Sequence, residues 1–334
     1  MSNLQHPATA DRLRATMIGG TAILIWSTLA SLATLVSTIP PFQIVALSFA
    51  IASLIGAGWT ITRGDNPLRY ARQPALAWLV GVGGLFGYHF LFFIALQSAP
   101  PVEANLINYL WPLLIVLFAS ALPGHRLQSG PIVGALAGLG GTLLLVTQGG
   151  SVSLNTADLP GYAAALASAI IWAGYSVLRR HLARSPTEAL TGFCLVTALL
   201  SLACHWILET TVWPDQAAGW LALLGLGLGP VGAAFFVWDH GVRHGDIRVL
   251  GALSYLTPLL STGLLIACGL ATGHWTVWVS CLLIAGGSLL ASQELLRDRR
   301  PRAFSDQVGS GWAQKMRQNK DLELFPIQRD RKQL

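Results

Sequence analysis

The chain has 334 residues, 53% of them hydrophobic and 11% charged, against about 25% charged in an average soluble domain. That composition excludes a water-soluble globular fold and points to an all-α integral membrane protein. The formal charge of +6 raises nucleic acid as a partner, but the placement of the basic residues reads as membrane topology instead.

In chain order, residues 1–14 precede a first apolar run at about 15–37, long enough to cross a bilayer and too long for a signal-peptide core. It carries Trp26 near its middle. A second run follows at 41–62 and a third at 75–97, where Tyr88 and His89 sit among Phe86, Phe90, Phe92 and Phe93. His89 is the one histidine deep in the predicted membrane. An imidazole there is either a hydrogen-bonded structural group or, since ionisable groups at membrane depth are functional by default, a ligand or proton carrier.

The fourth run, 101–121, has Asn105, Asn108, Tyr109 and Pro112 at i, i+3, i+4 and i+7, hence on one helical face. Trp111 stands beside them and Glu103 at the start. A polar stripe in mid-membrane turns inward, either to join helices by hydrogen bonds or to line a cavity. The fifth run, 130–147, offers Gly134, Gly138 and Gly141 for close helix approach, and the sixth, 159–179, carries Trp172 and Tyr175. The seventh and eighth, 187–208 and 217–240, end in Asp239, whose spacing to Arg243 fits an ordinary i,i+4 pair within reach of water. The ninth, 248–268, repeats the fourth's face as Gly251, Ser254, Tyr255 and Pro258, and the tenth, 275–295, holds Gly286 and Gly287. Residues 297–334 are polar, basic and aperiodic, and read as a disordered tail.

Two populations of tryptophan follow. Trp59, Trp78, Trp206, Trp213, Trp220, Trp275 and Trp278 lie near predicted helix ends and belong to the interfacial belts. Trp26, Trp111 and Trp172 lie in mid-span, where the indole N–H needs a partner or a cavity. Cys194, Cys204, Cys268 and Cys281 form no CxxC or metal-ligand spacing and read as apolar core residues. No Walker A lysine, HExxH or dinucleotide fingerprint occurs, so neither an enzyme nor a cofactor or metal site is expected.

The basic residues set the topology. Arg12 and Arg14, then Arg63, Arg69 and Arg72, then Arg126, then Arg179, Arg180 and Arg184, then Arg243 and Arg248, and ten more from Arg297 onward, account for all 21. All fall on one side of the ten predicted helices. The positive-inside rule therefore puts both termini in the cytoplasm.

A shift of 146 residues superposes Ile25-Trp26 on Ile171-Trp172, Gly81 and Gly83 on Gly227 and Gly229, and Phe90 on Phe236. It also carries Pro40 onto Pro186, Tyr109-Leu110 and Pro112-Leu113-Leu114 onto Tyr255-Leu256 and Pro258-Leu259-Leu260, and Gly140-Gly141 onto Gly286-Gly287. Five helix pairs in one register imply a duplication at about 15–150 and 158–296. An odd number of spans per copy inverts the second copy, a device of secondary transporters that puts the substrate near the midplane between the halves. Pro112 and Pro258 each leave a carbonyl unbonded one turn earlier and loosen their helices, as gating requires.

Ten helices in a five-plus-five repeat, Ile-Trp in the first and sixth, and Tyr-Leu-X-Pro-Leu-Leu in the fourth and ninth resemble the drug/metabolite transporter superfamily, EamA-type branch. Gly87-Tyr88-His89-Phe90, Asn108-Tyr109-Leu110-Trp111-Pro112 and Trp172 are similar to the exporters of aromatic amino acids within it. The resemblance implies a central cavity opened alternately to each side, lined by Tyr88, His89, Tyr109, Trp111 and Trp172, and export across a bacterial inner membrane. Thr257 replaces the second copy of Trp111, so the implied site is asymmetric. With Trp26, Asn105, Asn108, Tyr175 and Tyr255 added, these are the candidate substrate-binding residues. The same aromatic cage would suit an organic cation through cation–π contacts, and an intramembrane enzyme or sensor is the alternative of a different class. A small molecule and the lipid bilayer are the expected partners, with a self-sufficient monomer.

Overall fold

In the computed structural model, residues 9–121, 129–151, 155–182, 185–269 and 274–297 are described. Arg126, Arg184, the first eight residues and the tail beyond Arg297 lie outside them. Every regular element among the described residues is helical, as a hydrocarbon solvent demands, because only a helix satisfies its backbone groups within one segment. Among the described residues nine helices are long and apolar enough to cross a membrane: α1 (Ala10–Thr34), α2 (Pro41–Thr62), α3 (Ala75–Ser98), α4 (Pro101–Ser120), α5 (Ser129–Thr147), α6 (Thr156–Arg180), α7 (Thr187–Leu208), α8 (Ala217–His244) and α9 (Ile247–Ala267). The tenth predicted element is present as α10 (Trp275–Arg297). Its described apolar stretch, Trp275–Ala291, is shorter than the other nine.

Five of these helices are interrupted. α1 breaks at Ser27-Thr28, where Thr28 N–H bonds three residues back to Ile25 O at 3.1 Å. α3 widens into a π turn over Gly83–Gly87, and α8 does so over Gly229–Ala233. Both π turns begin on glycines 146 residues apart, the interval of the sequence matches. α4 breaks at Tyr109-Leu110 and α9 at Ser254-Tyr255. The prolines explain these two: Pro112 and Pro258 have no N–H to offer the carbonyls of Asn108 and Ser254. Ser254 O accepts instead from Thr257 N at 3.0 Å.

Glycine governs the closest approaches. α1 meets α8 where a Cβ on Gly19 would lie 2.7 Å from the Gly241 Cα, and α5 meets α10 where a Cβ on Gly134 would lie 2.4 Å from the Gly287 carbonyl oxygen. Gly140 and Gly286 face open space. Gly134, Gly138, Gly141 and Gly287 are thus the packing surface, as small residues at membrane helix contacts are. The core centres on Phe49, Leu85, Phe193, Trp238 and Leu250, all fully buried.

Six of the seven tryptophans assigned to the belts are exposed: Trp59, Trp206, Trp213, Trp220, Trp275 and Trp278. Trp78 departs from that reading. Its ring meets Phe193 edge-on at 5.0 Å and crosses the bare face of Gly192. Of the cysteines only Cys194 is buried; Cys268 is exposed.

Candidate functional site

The interruptions surround a cavity of about 190 Å³. Eight of the ten candidate binding residues line it: Trp26, Tyr88, His89, Asn105, Asn108, Tyr109, Trp111 and Trp172. Its tightest part is a set of three indoles from α1, α4 and α6. Their centroids are 6.4 Å apart for Trp26–Trp111, 5.9 Å for Trp26–Trp172 and 6.3 Å for Trp111–Trp172, each pair edge-on. This geometry directs the positive ring edge at the negative face, as aromatic pairs prefer. Phe235 and Trp238 of α8 back the set, the latter 5.1 Å from Trp26.

The three indole N–H groups have different fates. Trp26 Nε1 donates to Pro230 O at 2.9 Å, a carbonyl within the π turn of α8. A π turn loosens the i−4 ladder, so an interrupted helix supplies the acceptor that the membrane does not. Trp111 and Trp172 have no hydrogen-bonding partner among the described residues, and both face the cavity. Trp111 is only 8% exposed, so it is wall and core together.

Polar groups occupy the α3–α4 side. His89 Nδ1 lies 2.7 Å from Leu85 O. Since a carbonyl only accepts, the hydrogen is on Nδ1. The ring is otherwise enclosed by aromatics, with Phe49 at 5.3 Å and Tyr88 at 5.1 Å. Asn108 Nδ2 donates to Tyr88 OH at 3.3 Å, and Ser168 Oγ of α6 lies 3.0 Å from Asn108 Oδ1. Asn105 Nδ2 donates to Pro101 O at 2.8 Å. The stripe read from the sequence therefore does both things proposed for it: Asn108 links helices, and Asn105 lines space.

Tyr175 and Tyr255 do not line the cavity. Tyr175 is buried one turn past Trp172, its ring 5.2 Å from that indole and pressed onto Gly84 in the π turn of α3. Tyr255 is fully buried against Gly138 of α5 and donates to Tyr109 O at 3.1 Å, capping the break in α4. Both stand behind the wall: Tyr255 lies in the break of α9, and Tyr175 turns from the cavity on the unbroken α6. Pro112 and Pro258 are buried beside them.

The remaining lining residues are Leu29, Phe92, Pro230, Val231, Phe235 and Thr257. The repeat register held a signal for three of them. Phe235 is 146 residues after His89, Thr257 is 146 after Trp111, and Leu29 is 146 before Tyr175.

Two helical turns beyond Trp172 along α6, the site gives way to charge. Arg179 and Asp239 are both fully buried and joined by two bonds, Nε to Oδ1 at 2.6 Å and Nη2 to Oδ2 at 3.2 Å. Thr187 Oγ1 donates to Asp239 Oδ2 at 2.7 Å, and Arg179 Nη1 donates to Ser185 at 3.0 Å. Arg243 is a distant third at 3.9 Å. The reading of Asp239 as a water-accessible i,i+4 partner of Arg243 is therefore corrected: its main partner is an arginine from another helix, inside the protein. At the α8–α9 turn Asp246 pairs with Arg12 of α1 and, at 3.3 Å, with Arg248. Burial pushes its pKa up, but the two guanidinium groups outweigh burial and hold the carboxyl below the usual carboxylate range.

Among the described residues no group of three metal-ligating side chains forms. A family model described as the EamA-like transporter family matches residues 15–147 and 159–293. The chain is 49% identical to the aromatic amino acid exporter YddG of Ancylobacter novellus, over 84% of this chain and 98% of that one. It is 30% identical to the protein of that name from Escherichia coli, over 84% and 97%. A solved crystal structure 48% identical in sequence superposes with a TM-score of 0.81, covering 87% of this chain and all of that one.

Proposed function

The chain belongs to the EamA-like transporter family, and on that basis we propose that it exports aromatic amino acids across the bacterial inner membrane by alternating access. It is a multi-pass membrane transporter, not an enzyme. The observation that carries the substrate reading is the cavity itself: three mid-span indoles with His89, Asn105 and Asn108 at one side, in a chain 49% identical over 84% of its length to an aromatic amino acid exporter. Trp and Phe faces stack on planar side chains, while the polar groups are of the kind that hold an amino acid's charged end. Tyr88, His89, Asn105, Asn108, Tyr109, Trp111, Trp172 and Trp26 contact the substrate, and Tyr175 and Tyr255 support the wall.

In this reading α10 is the tenth span, and residues 15–150 and 158–296 are two inverted five-helix repeats. The two separate family matches and the π turns 146 residues apart support it. Both termini are cytoplasmic, residues 1–14 and 297–334 extend into that compartment, and a monomer in lipid suffices. Pro112 and Pro258 are hinges of the opening movement.

The test is counterflow in proteoliposomes. Preloaded tryptophan should drive uptake of labelled tryptophan and phenylalanine; a folded protein that gives none sinks the proposal. The aromatic walls alone favour a second reading, an organic-cation exporter, but no carboxylate lines the cavity among the described residues. Uptake driven by a quaternary ammonium compound and not by tryptophan would establish that reading instead.

A further inference from the structure

Besides the hydroxyls of Tyr109 and Thr257, which can both donate and accept, four cavity atoms of fixed character carry unmet hydrogen-bonding capacity, and these four divide by sign. Nδ1 of His89 donates to Leu85 O, so the uncharged imidazole has its lone pair on Nε2. One N–H of the Asn105 amide is donated to Pro101 O, and its Oδ1 accepts from no described residue. Nε2 and Oδ1 are both acceptors. The indole nitrogens of Trp111 and Trp172 are donors only, and each residue is more than nine-tenths buried. None of the four atoms has a partner among the described residues, and none is sealed away from the cavity.

We infer that the cavity is polarised: His89 Nε2 and Asn105 Oδ1 receive the substrate's ammonium group, and the Trp111 and Trp172 N–H groups receive its carboxylate. The inference rests on the amino acid reading above and deepens it, assigning each charged group of the zwitterion to its own residues. A side chain of ordinary volume then lies across the aromatic set, where Trp26 has no N–H to spare because Pro230 O holds it. Discrimination follows from chemistry rather than size. A ligand lacking its ammonium leaves two acceptors unpaired, and one lacking its carboxylate leaves two donors unpaired.

The test uses two one-ended analogues as competitors of tryptophan counterflow: tryptamine, which has no carboxylate, and indole-3-propionate, which has no ammonium. In the full-length protein, His89→Phe should weaken competition by tryptamine about tenfold, the size expected for one hydrogen bond to a charged group, and leave indole-3-propionate unchanged. Trp111→Phe keeps an aromatic wall and removes the N–H. It should do the reverse. Asn105→Leu and Trp172→Phe repeat the two arms, so that a variant lost to misfolding does not remove either comparison.

Equal weakening of both analogues by His89→Phe and by Trp111→Phe overturns the assignment, since the residues then act by shape. Reversed selectivity also overturns it, because His89 would then be a cationic donor to the carboxylate. Failure of the unaltered protein to exchange tryptophan is a separate outcome, which removes the substrate reading and this inference with it.

Discussion

The two crossings at which α1 and α6 leave the cavity are built on the same backbone plan and held by different chemistry. At one, α1 packs on α8 through Gly19 and Gly241, and Arg12 reaches over to Asp246. At the other, α6 packs on the end of α3 through Gly161, where a Cβ would lie 2.6 Å from Ala99 Cβ and from the Ser98 backbone. The residues 146 positions from Arg12 and Asp246 are Asp158 and Pro100. Among the described residues no ion pair joins α6 to α3 or α4; a small cluster of Ala95, Ala99, Ala104, Tyr162 and Ala165 does so instead. The same holds one layer inward, where Arg179 and Asp239 correspond to Ala33 and Phe93. Across the 146-residue register the π turns and the proline breaks recur and the charges do not. Apolar contacts between small residues slide at little cost, whereas a buried ion pair has one good geometry and a large penalty for leaving it.

The largest blow to this contrast is Arg179→Ala, which leaves Asp239 charged in the interior with only the Thr187 hydroxyl and the more distant Arg243 beside it. Breaking a buried pair costs about 3–5 kcal/mol, so the variant should lose most of its detergent-stable fraction in a thermal melt. Arg179→Met combined with Asp239→Leu should recover much of the loss. If the single variant melts with the parent, the charged layer contributes nothing and the comparison fails.

Gly161→Leu attacks the apolar crossing. Overpacking costs about 1–3 kcal/mol, and the melting temperature should fall accordingly. Transport should fall further than stability does, since this crossing is the one free to slide. A variant that transports normally would show the contact to be slack.

The smallest expected effect is that of Asp246→Asn, about 1 kcal/mol, since the Arg12 contact is partly exposed and screened by solvent. Its pH dependence sharpens the contrast. The folded pKa lies below the unfolded value of about 3.9, so the stabilisation is complete above that value and is lost as pH falls through the folded one. The melting gap between parent and variant should be open at neutral pH and close in acid. A gap that widens in acid contradicts the ion pairing.

Much of this was legible in the chain. Spans announce themselves by apolar length, and the stripe Asn105-Asn108-Tyr109 marked the cavity because amides at membrane depth have few other uses. Pro230 and Val231 were not legible: they line the site through a π turn and carry no polar side chain to mark them. Arg179 looked like a loop residue because it closes a predicted span among other arginines, and only the fold brings Asp239 to it across 60 residues. Tyr175 and Tyr255 had the right chemistry in the right spans, but Tyr175 packs onto Gly84 from an unbroken helix and Tyr255 lies in a break that turns its ring onto Gly138.

The π turns have one more consequence, for the arithmetic of the chain. Each α-helical residue advances the wheel by about 100°, and a π turn holds one residue more than the hydrogen-bonding ladder would otherwise admit. The Gly83–Gly87 turn therefore works as a phase shifter between the two halves of α3. Deleting a single glycine there would restore a regular helix and leave Tyr88 and His89 facing as they do, whereas substitutions that straightened the turn without a deletion would rotate them by about a quarter of a circle relative to the segment before them.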